Sequence, residues 1–183
     1  MKTSYLVMLF IVVAGIQIFV PTKMILDREH VLNTGKAYKF KTQPIDPNDP
    51  FRGKYIVLNY DEDHFNTHND SWKRNETIYL IIGEDSLGFA DVKAVSKLKP
   101  ESDMDYIKTK VAWYNGFDKR VNFDLPFDRF YMEESKAPKA EKVYNAANSN
   151  QRKETYALVY VKDGTAVLND VIIDGQSIAT YVE

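Results

Sequence analysis

The chain opens on an apolar run. Ser4–Val20 carries no charge, and its markedly polar members are Ser4 and Gln17. About 17 residues of this kind is the short end of a membrane span. The run ends on Gln17-Ile18-Phe19-Val20-Pro21, which is bulky where a cleavable signal needs small residues, and it is apolar on every side, unlike a core helix with one buried stripe. Residues 1–22 are therefore expected to be an uncleaved transmembrane signal anchor. Met24, Ile25, Arg28, Val31 and Leu32 then trace one side of a helix, with Lys23, Asp27 and Glu29 on the other. This predicts a helical stalk over 23–35, closed by Gly35 as a C-cap. Lys2 precedes the span while Lys23 and Arg28 follow it, so the positive-inside rule is nearly silent. The long polar remainder after an N-terminal anchor favours an N-in, C-out arrangement.

From residue 36 the period changes from that of a helix to that of a strand. Tyr38, Phe40 and Thr42 alternate with Ala37, Lys39 and Lys41, and Ile56, Leu58 and Tyr60 alternate with Tyr55, Val57 and Asn59. These two strands, joined by a proline-rich loop, are expected to pair antiparallel. Thr77–Gly83 is continuously apolar and predicts a central strand buried on both faces, with Phe89–Ser96 returning beside it as a hairpin. In Asp105–Trp113, Ile107, Thr109, Val111 and Trp113 share one face, and Asn115-Gly116 turns the chain back into Arg120–Leu125. A short helix is expected from Ala137-Pro138, where proline suits the first turn, to Ala147. Strands Glu154–Lys162 and Thr165–Ile173 flank Asp163-Gly164, a hairpin signal, and Asp174-Gly175 makes a further turn. The class is mainly β, of the α+β type: a transmembrane helix and stalk, then one antiparallel β-rich domain over 36–183 with one short helix.

The strands are arranged around the stretch Pro44-Ile45-Asp46-Pro47-Asn48-Asp49-Pro50-Phe51-Arg52-Gly53-Lys54-Tyr55-Ile56-Val57-Leu58-Asn59-Tyr60. Three prolines fix φ, Asp46 and Asp49 can accept from nearby amides, and Gly53 supplies backbone freedom where the strand begins. The run Gly53–Tyr60 resembles the signature of the bacterial GDYXXLXY family, with Lys54 in place of the family's Asp. The resemblance covers roughly residues 25–176 and implies a membrane-anchored architecture with no assigned activity. A second stretch, Pro126–Glu141, is similar to another pattern of that family, onto which Tyr131, Glu134, Lys136 and Glu141 fall. Glu133, Ser135 and Ala137 depart from its Pro and two Gly, which relaxes the tight turn it implies.

If these two loops meet, Asp46, Asp49 and Arg52 would join Tyr131, Glu134 and Lys136 in a cluster of carboxylate, guanidinium and phenol suited to proton transfer or polar-ligand binding. The other reading is structural: Arg52 pairs with an acid and pins two loops. Tyr55, Tyr60, Gly53 and Glu141 belong to the same candidate set, as ligand or scaffold.

Charge and composition narrow the classes. With 26 acidic and 24 basic residues among 183, and no basic stripe, nucleic acid is not an expected partner. The absence of cysteine removes disulfides, thiolate metal sites and a Cys nucleophile. Twelve Tyr and ten Phe against eight Gly suit a sheet with an aromatic core. His64 and His68 are four apart among Asp61, Asp63 and Asp70, a ligand set without a helix to carry it, so no metal is expected and the stretch reads as a solvated loop. No Gly-x-Ser-x-Gly elbow or phosphate loop occurs, and no cofactor is expected. A faint likeness to signal peptidases fails because the first serine after the anchor is Ser71, inside a polar loop. The sequence thus points to a non-catalytic accessory or interaction module of the bacterial inner membrane, its soluble domain outside the cytoplasm and another membrane or envelope protein as partner. The alternative is a carboxylate-dependent hydrolase or polar-ligand binder using the 46–55 and 131–136 loops.

Overall fold

The computed structural model describes residues 2–43, 55–67, 72–101, 103–149 and 153–182. One helix, α1 (Lys2–Thr34), runs unbroken through both the apolar run and the stalk. Its side chains from Tyr5 to Val13, and Ile16, Ile18, Phe19 and Val20 beyond them, are exposed, and none of the described residues covers them. The helix is long and apolar enough to cross a membrane. Among the described residues, its last turns are the part that touches the domain. Val31 is buried, and the Lys162 ammonium donates to the Thr34 hydroxyl at 2.7 Å.

Gly35 differs in its role from the expected left-handed cap. Its N–H donates to the Val31 carbonyl at 2.8 Å, and it is not among the glycines with positive φ. What it provides is room: a Cβ there would lie 2.5 Å from the Val31 oxygen and 3.0 Å from the Val161 oxygen. Glycine is needed because the helix exit lies against strand backbone.

In chain order the domain consists of β1 (Lys36–Gln43), β2 (Tyr55–Val57), β3 (Asn59–Tyr60), β4 (His64–Asn66), β5 (Thr77–Glu84), β6 (Ala90–Ser96), β7 (Tyr106–Asn115), β8 (Arg120–Phe123), β9 (Arg129–Tyr131), α2 (Ala137–Ser149), β10 (Thr155–Lys162), β11 (Thr165–Ile173) and β12 (Gln176–Ser177), and it closes with a short 3₁₀ turn, Ile178–Tyr181. Among the described residues these strands make two five-stranded sheets, ordered β12-β11-β10-β1-β3 and β4-β8-β7-β5-β6, and a two-stranded ribbon of β2 and β9. The pairings named below are antiparallel. The fold is the expected antiparallel β-rich domain behind a long apolar helix, with one further helix.

Inward positions of both sheets merge into one core. Tyr38 and Phe40 of β1, Ile78 and Leu80 of β5, Ile107 and Val111 of β7, Val121 of β8, and Ala157 and Val159 of β10 are all buried in it. Helix α2 adds Ala140, Tyr144 and Ala147 from one face, the spacing of a single helical stripe. The sheets are tied where β7 meets the β10–β11 turn. There Ile107 bridges Gly164, the Lys108 N–H donates to the Gly164 carbonyl at 2.9 Å, and the Tyr38 hydroxyl donates to Asp105 at 2.7 Å.

Three expectations change. The strand expected through residue 60 splits at Leu58: β2 pairs with β9 in the ribbon, while β3 alone pairs with β1, Thr42 opposite Tyr60. The Leu58 N–H is not lost, because it donates to the Asp128 carbonyl at 2.8 Å. β5 is an inner strand, but Ile78, Leu80 and Ile82 fill the core while Tyr79 and Ile81 are half-buried, so one face carries the burial. Trp113 does not follow Ile107 and Val111 inward. A bulge between Val111 and Trp113 shifts the register by one residue and turns the indole out, 52% exposed, while Tyr114 packs on the core.

Candidate functional site

Tyr55, Tyr60 and Tyr131, three of the candidate residues that can be placed, lie in or beside the β2–β9 ribbon. Alternation along 55–60 sends Ile56, Leu58 and Tyr60 into the core and leaves Tyr55 and Val57 half-buried and Asn59 exposed. Tyr60 is pinned on both sides: its ring lies edge-on to Phe40 and Phe127, and its hydroxyl donates to the Phe127 carbonyl at 2.8 Å. Burial pushes the Tyr60 phenol far above its ordinary pKa, so it stays a protonated donor. Tyr60 is scaffold.

Tyr55 has the other character. It sits directly opposite Tyr131, with ring centroids 5.5 Å apart, and the Arg129 guanidinium lies 5.0 Å over its ring. A hydrogen bond to Tyr131, and after it the charge of Asp128, hold the Arg129 guanidinium above its ordinary pKa. The Arg129–Asp128 contact is long, 3.9 Å, between half-exposed groups. On the flank of this ribbon opens a groove of about 420 Å³, lined by Arg28 of α1, by Pro126–Tyr131 and by Ala166–Asn169 of β11. Tyr55 of the first motif stretch and Tyr131 of the second are therefore paired, strand against strand.

A profile of the GDYXXLXY protein family matches residues 17–171, from within the apolar helix to the last residues of β11. The chain belongs to the GDYXXLXY family. No curated protein and no solved structure matches it. In this GDYXXLXY protein the signature splits into two jobs, with Leu58 and Tyr60 buried and Tyr55 half-buried in the ribbon against Tyr131 and Arg129. Asp46, Asp49, Arg52, Gly53 and Lys54 lie outside the described residues, as does His68. The remaining candidates are more dispersed. Glu134 is exposed, Lys136 reaches Glu133 at 3.8 Å within its own turn, and Glu141 is half-buried on α2. His64 lies in β4 and is paired with Asp63 at 2.5 Å, so its stretch is partly strand. Among the described residues no group of His, Asp and Glu has the geometry to hold a metal ion.

A groove of about 300 Å³ opens beside Val57–Tyr60 of the motif, and its acidic residues carry no motif of their own. It is lined by Gln43, Asn59, Glu62, Asp63, Asp124 and Asp128 among others. Burial lifts the Glu62 carboxyl above the usual carboxylate range and the charges of Asp91 and Asp61 add to this, opposed by a hydrogen bond from the Val92 N–H at 3.5 Å. A raised folded-state pKa means that the folded chain keeps a proton the unfolded chain releases. The stabilisation from Glu62 is therefore complete below its unfolded-state pKa and is lost as pH rises through the folded-state pKa. Glu62→Gln is expected to melt above the parent at neutral pH, with the gap closing in acid. Thermal melts from about pH 4 to about pH 8 read this directly, and a variant that melts lower at neutral pH would show that the carboxylate is instead held by favourable contacts.

Proposed function

We propose that this GDYXXLXY protein is a single-pass protein of a bacterial inner membrane whose β-rich domain stands on the extracytoplasmic side as a non-catalytic interaction or accessory module for another membrane or envelope protein. The observation that carries this reading is α1: its apolar side chains are exposed along the N-terminal half, and its last turn is built into the domain through Val31, Thr34 and Gly35. A helix of that composition needs a bilayer around it, and one joined so closely to the fold holds the domain near the bilayer surface.

For the partner contact, the β7–β8 hairpin offers two exposed aromatic side chains, the outturned Trp113 and the fully exposed Phe117 at its tip. Large exposed aromatics of this kind are the usual anchors of an interface, and the bulge that re-aims Trp113 is a local device for presenting one. Trp113→Ala with Phe117→Ala is expected to leave the melting midpoint within about 0.5 kcal/mol of the parent in stability terms. A photoreactive residue at position 117 should crosslink to an envelope protein in living cells, and the Trp113→Ala change should remove the adduct. Failure to crosslink, or a collapse of the fold in the double variant, contradicts the reading.

A second reading, a polar-ligand site or a carboxylate-dependent hydrolase, draws on the acidic groove beside Leu58–Tyr60, where a carboxyl with a raised pKa stands among other carboxylates. A carboxyl that holds its proton more tightly than usual suits a proton donor.

A further inference from the structure

We propose that the groove between α1, β9 and β11 seats the phosphate of an anionic phospholipid headgroup. The proposal rests on the anchor reading above and adds a ligand to it. Met24, Ile25 and Leu26 of α1 are apolar and 57–67% exposed although they follow the uncharged run. They make sense if the interfacial layer of the bilayer reaches that far up the helix, with Lys23, paired to Asp27 at 2.6 Å, extending its ammonium past the apolar surface. Arg28 is two residues past Leu26, about 3 Å along the helix axis. That is the level of the phosphates, about 5–7 Å deep on each side of the hydrocarbon.

The charges at that level are suited to an anion. Arg28 has no hydrogen bond or ion pair among the described residues. Across the groove, Arg129 is stacked on Tyr55, bonded to Tyr131 and only loosely balanced by Asp128. Two guanidinium groups against one carboxylate leave the groove net positive, and guanidinium forks match the oxygens of a phosphodiester. The Tyr131 hydroxyl, on a side chain 64% exposed, and the amide of Asn169 add neutral polar groups to the same rim. The groove opens beside a membrane-crossing helix, so the phosphate nearest to hand belongs to the bilayer.

The test uses the full chain in neutral detergent, titrated with phosphatidylglycerol or with phosphatidylcholine of the same acyl chains and read by native mass spectrometry. The expected result is preferential retention of phosphatidylglycerol. Arg28→Gln and Arg129→Gln should each weaken that preference about fivefold, and together about 25-fold. Arg28→Lys should keep most of it. Arg28→Gln breaks no hydrogen bond or ion pair among the described residues, and an unchanged melt of the variant separates loss of the site from loss of the fold. Equal retention of the two lipids, or a preference that survives both substitutions, overturns the proposal. So does binding of inorganic phosphate, added in large excess, with no preference between the lipids, because that assigns the groove to a soluble anion. Loss of the preference while α1 remains embedded defeats only the headgroup site, and a domain found on the cytoplasmic side defeats only the topology.

Discussion

Tyr60→Ala is expected to cost the domain about 3–5 kcal/mol, the range for deleting a fully packed aromatic ring. The ring is 5% exposed, is 6.0 Å from Phe40 and 5.2 Å from Phe127, and sits where β3 joins β1. Removing it leaves a void between three elements distant in sequence, and the surrounding aromatics are held by their own strands and cannot collapse into it. The Phe127 carbonyl also loses its donor. Tyr60→Phe isolates that part and should cost about 1–2 kcal/mol, since the ring stays while a buried acceptor goes unpaired. Chemical unfolding of the full chain in detergent, followed by the fluorescence of buried Trp72, measures both. A small effect of Tyr60→Ala would mean that the final tyrosine of the motif is not scaffold, and its contrast with the half-buried Tyr55 would be lost.

Gly164→Val is expected to destabilise by about 2–4 kcal/mol, from two causes that can be separated. Gly164 has φ +84°, a left-handed conformation that a β-branched residue resists. A Cβ there would also fall 2.5 Å from Cε2 of Tyr106, whose ring is buried and packed edge-on to Tyr79. With the ring so packed, the clash strains the contact of the β10–β11 turn with β7, where Ile107 and Lys108 meet it. Gly175 is the control. Its φ is +76° but a Cβ there would meet nothing within 4 Å, so Gly175→Ala should cost only the backbone part, about 1–2 kcal/mol. Equal costs at the two sites, measured in the same unfolding experiment, would show that the junction between the sheets is looser than these distances imply.

Much of this architecture is legible in the sequence because it rests on local chemistry. Asp163-Gly164 and Asp174-Gly175 all have positive φ, as two-residue hairpin turns require, and β10 and β11 follow from the alternation around the first of them. Helix α2 begins at Ala137, where Pro138 fits the first turn. What stayed hidden depends on partners far along the chain. Alternation over 55–60 reveals which side chains face the core, but not that Leu58 ends one pairing and Tyr60 begins another, because that depends on where Asp128 and Thr42 arrive. β9 is three residues long and has no periodicity of its own to read. The bulge that exposes Trp113 adds one residue against β8, a choice that local pattern does not record.

The candidate site divides in the same way. Tyr55 and Tyr131 are marked by motif and prove to be opposite one another, whereas Arg129 and Arg28 are not singled out as site residues and come to line one groove only through the ribbon and the helix exit. Glu62 gives no signal either, since a carboxylate in a polar stretch looks solvated until the fold buries it.

The account depends most on α1 being a membrane anchor that leaves the domain outside the cytoplasm. Protease added to intact spheroplasts, with a tag at the C-terminus and a cytoplasmic protein as integrity control, tests this in one measurement. The expected result is loss of the tagged domain while the cytoplasmic control survives, with a short α1 fragment kept in the membrane. Survival of the domain until the spheroplasts are lysed, or its recovery in the soluble fraction without α1, would contradict the account.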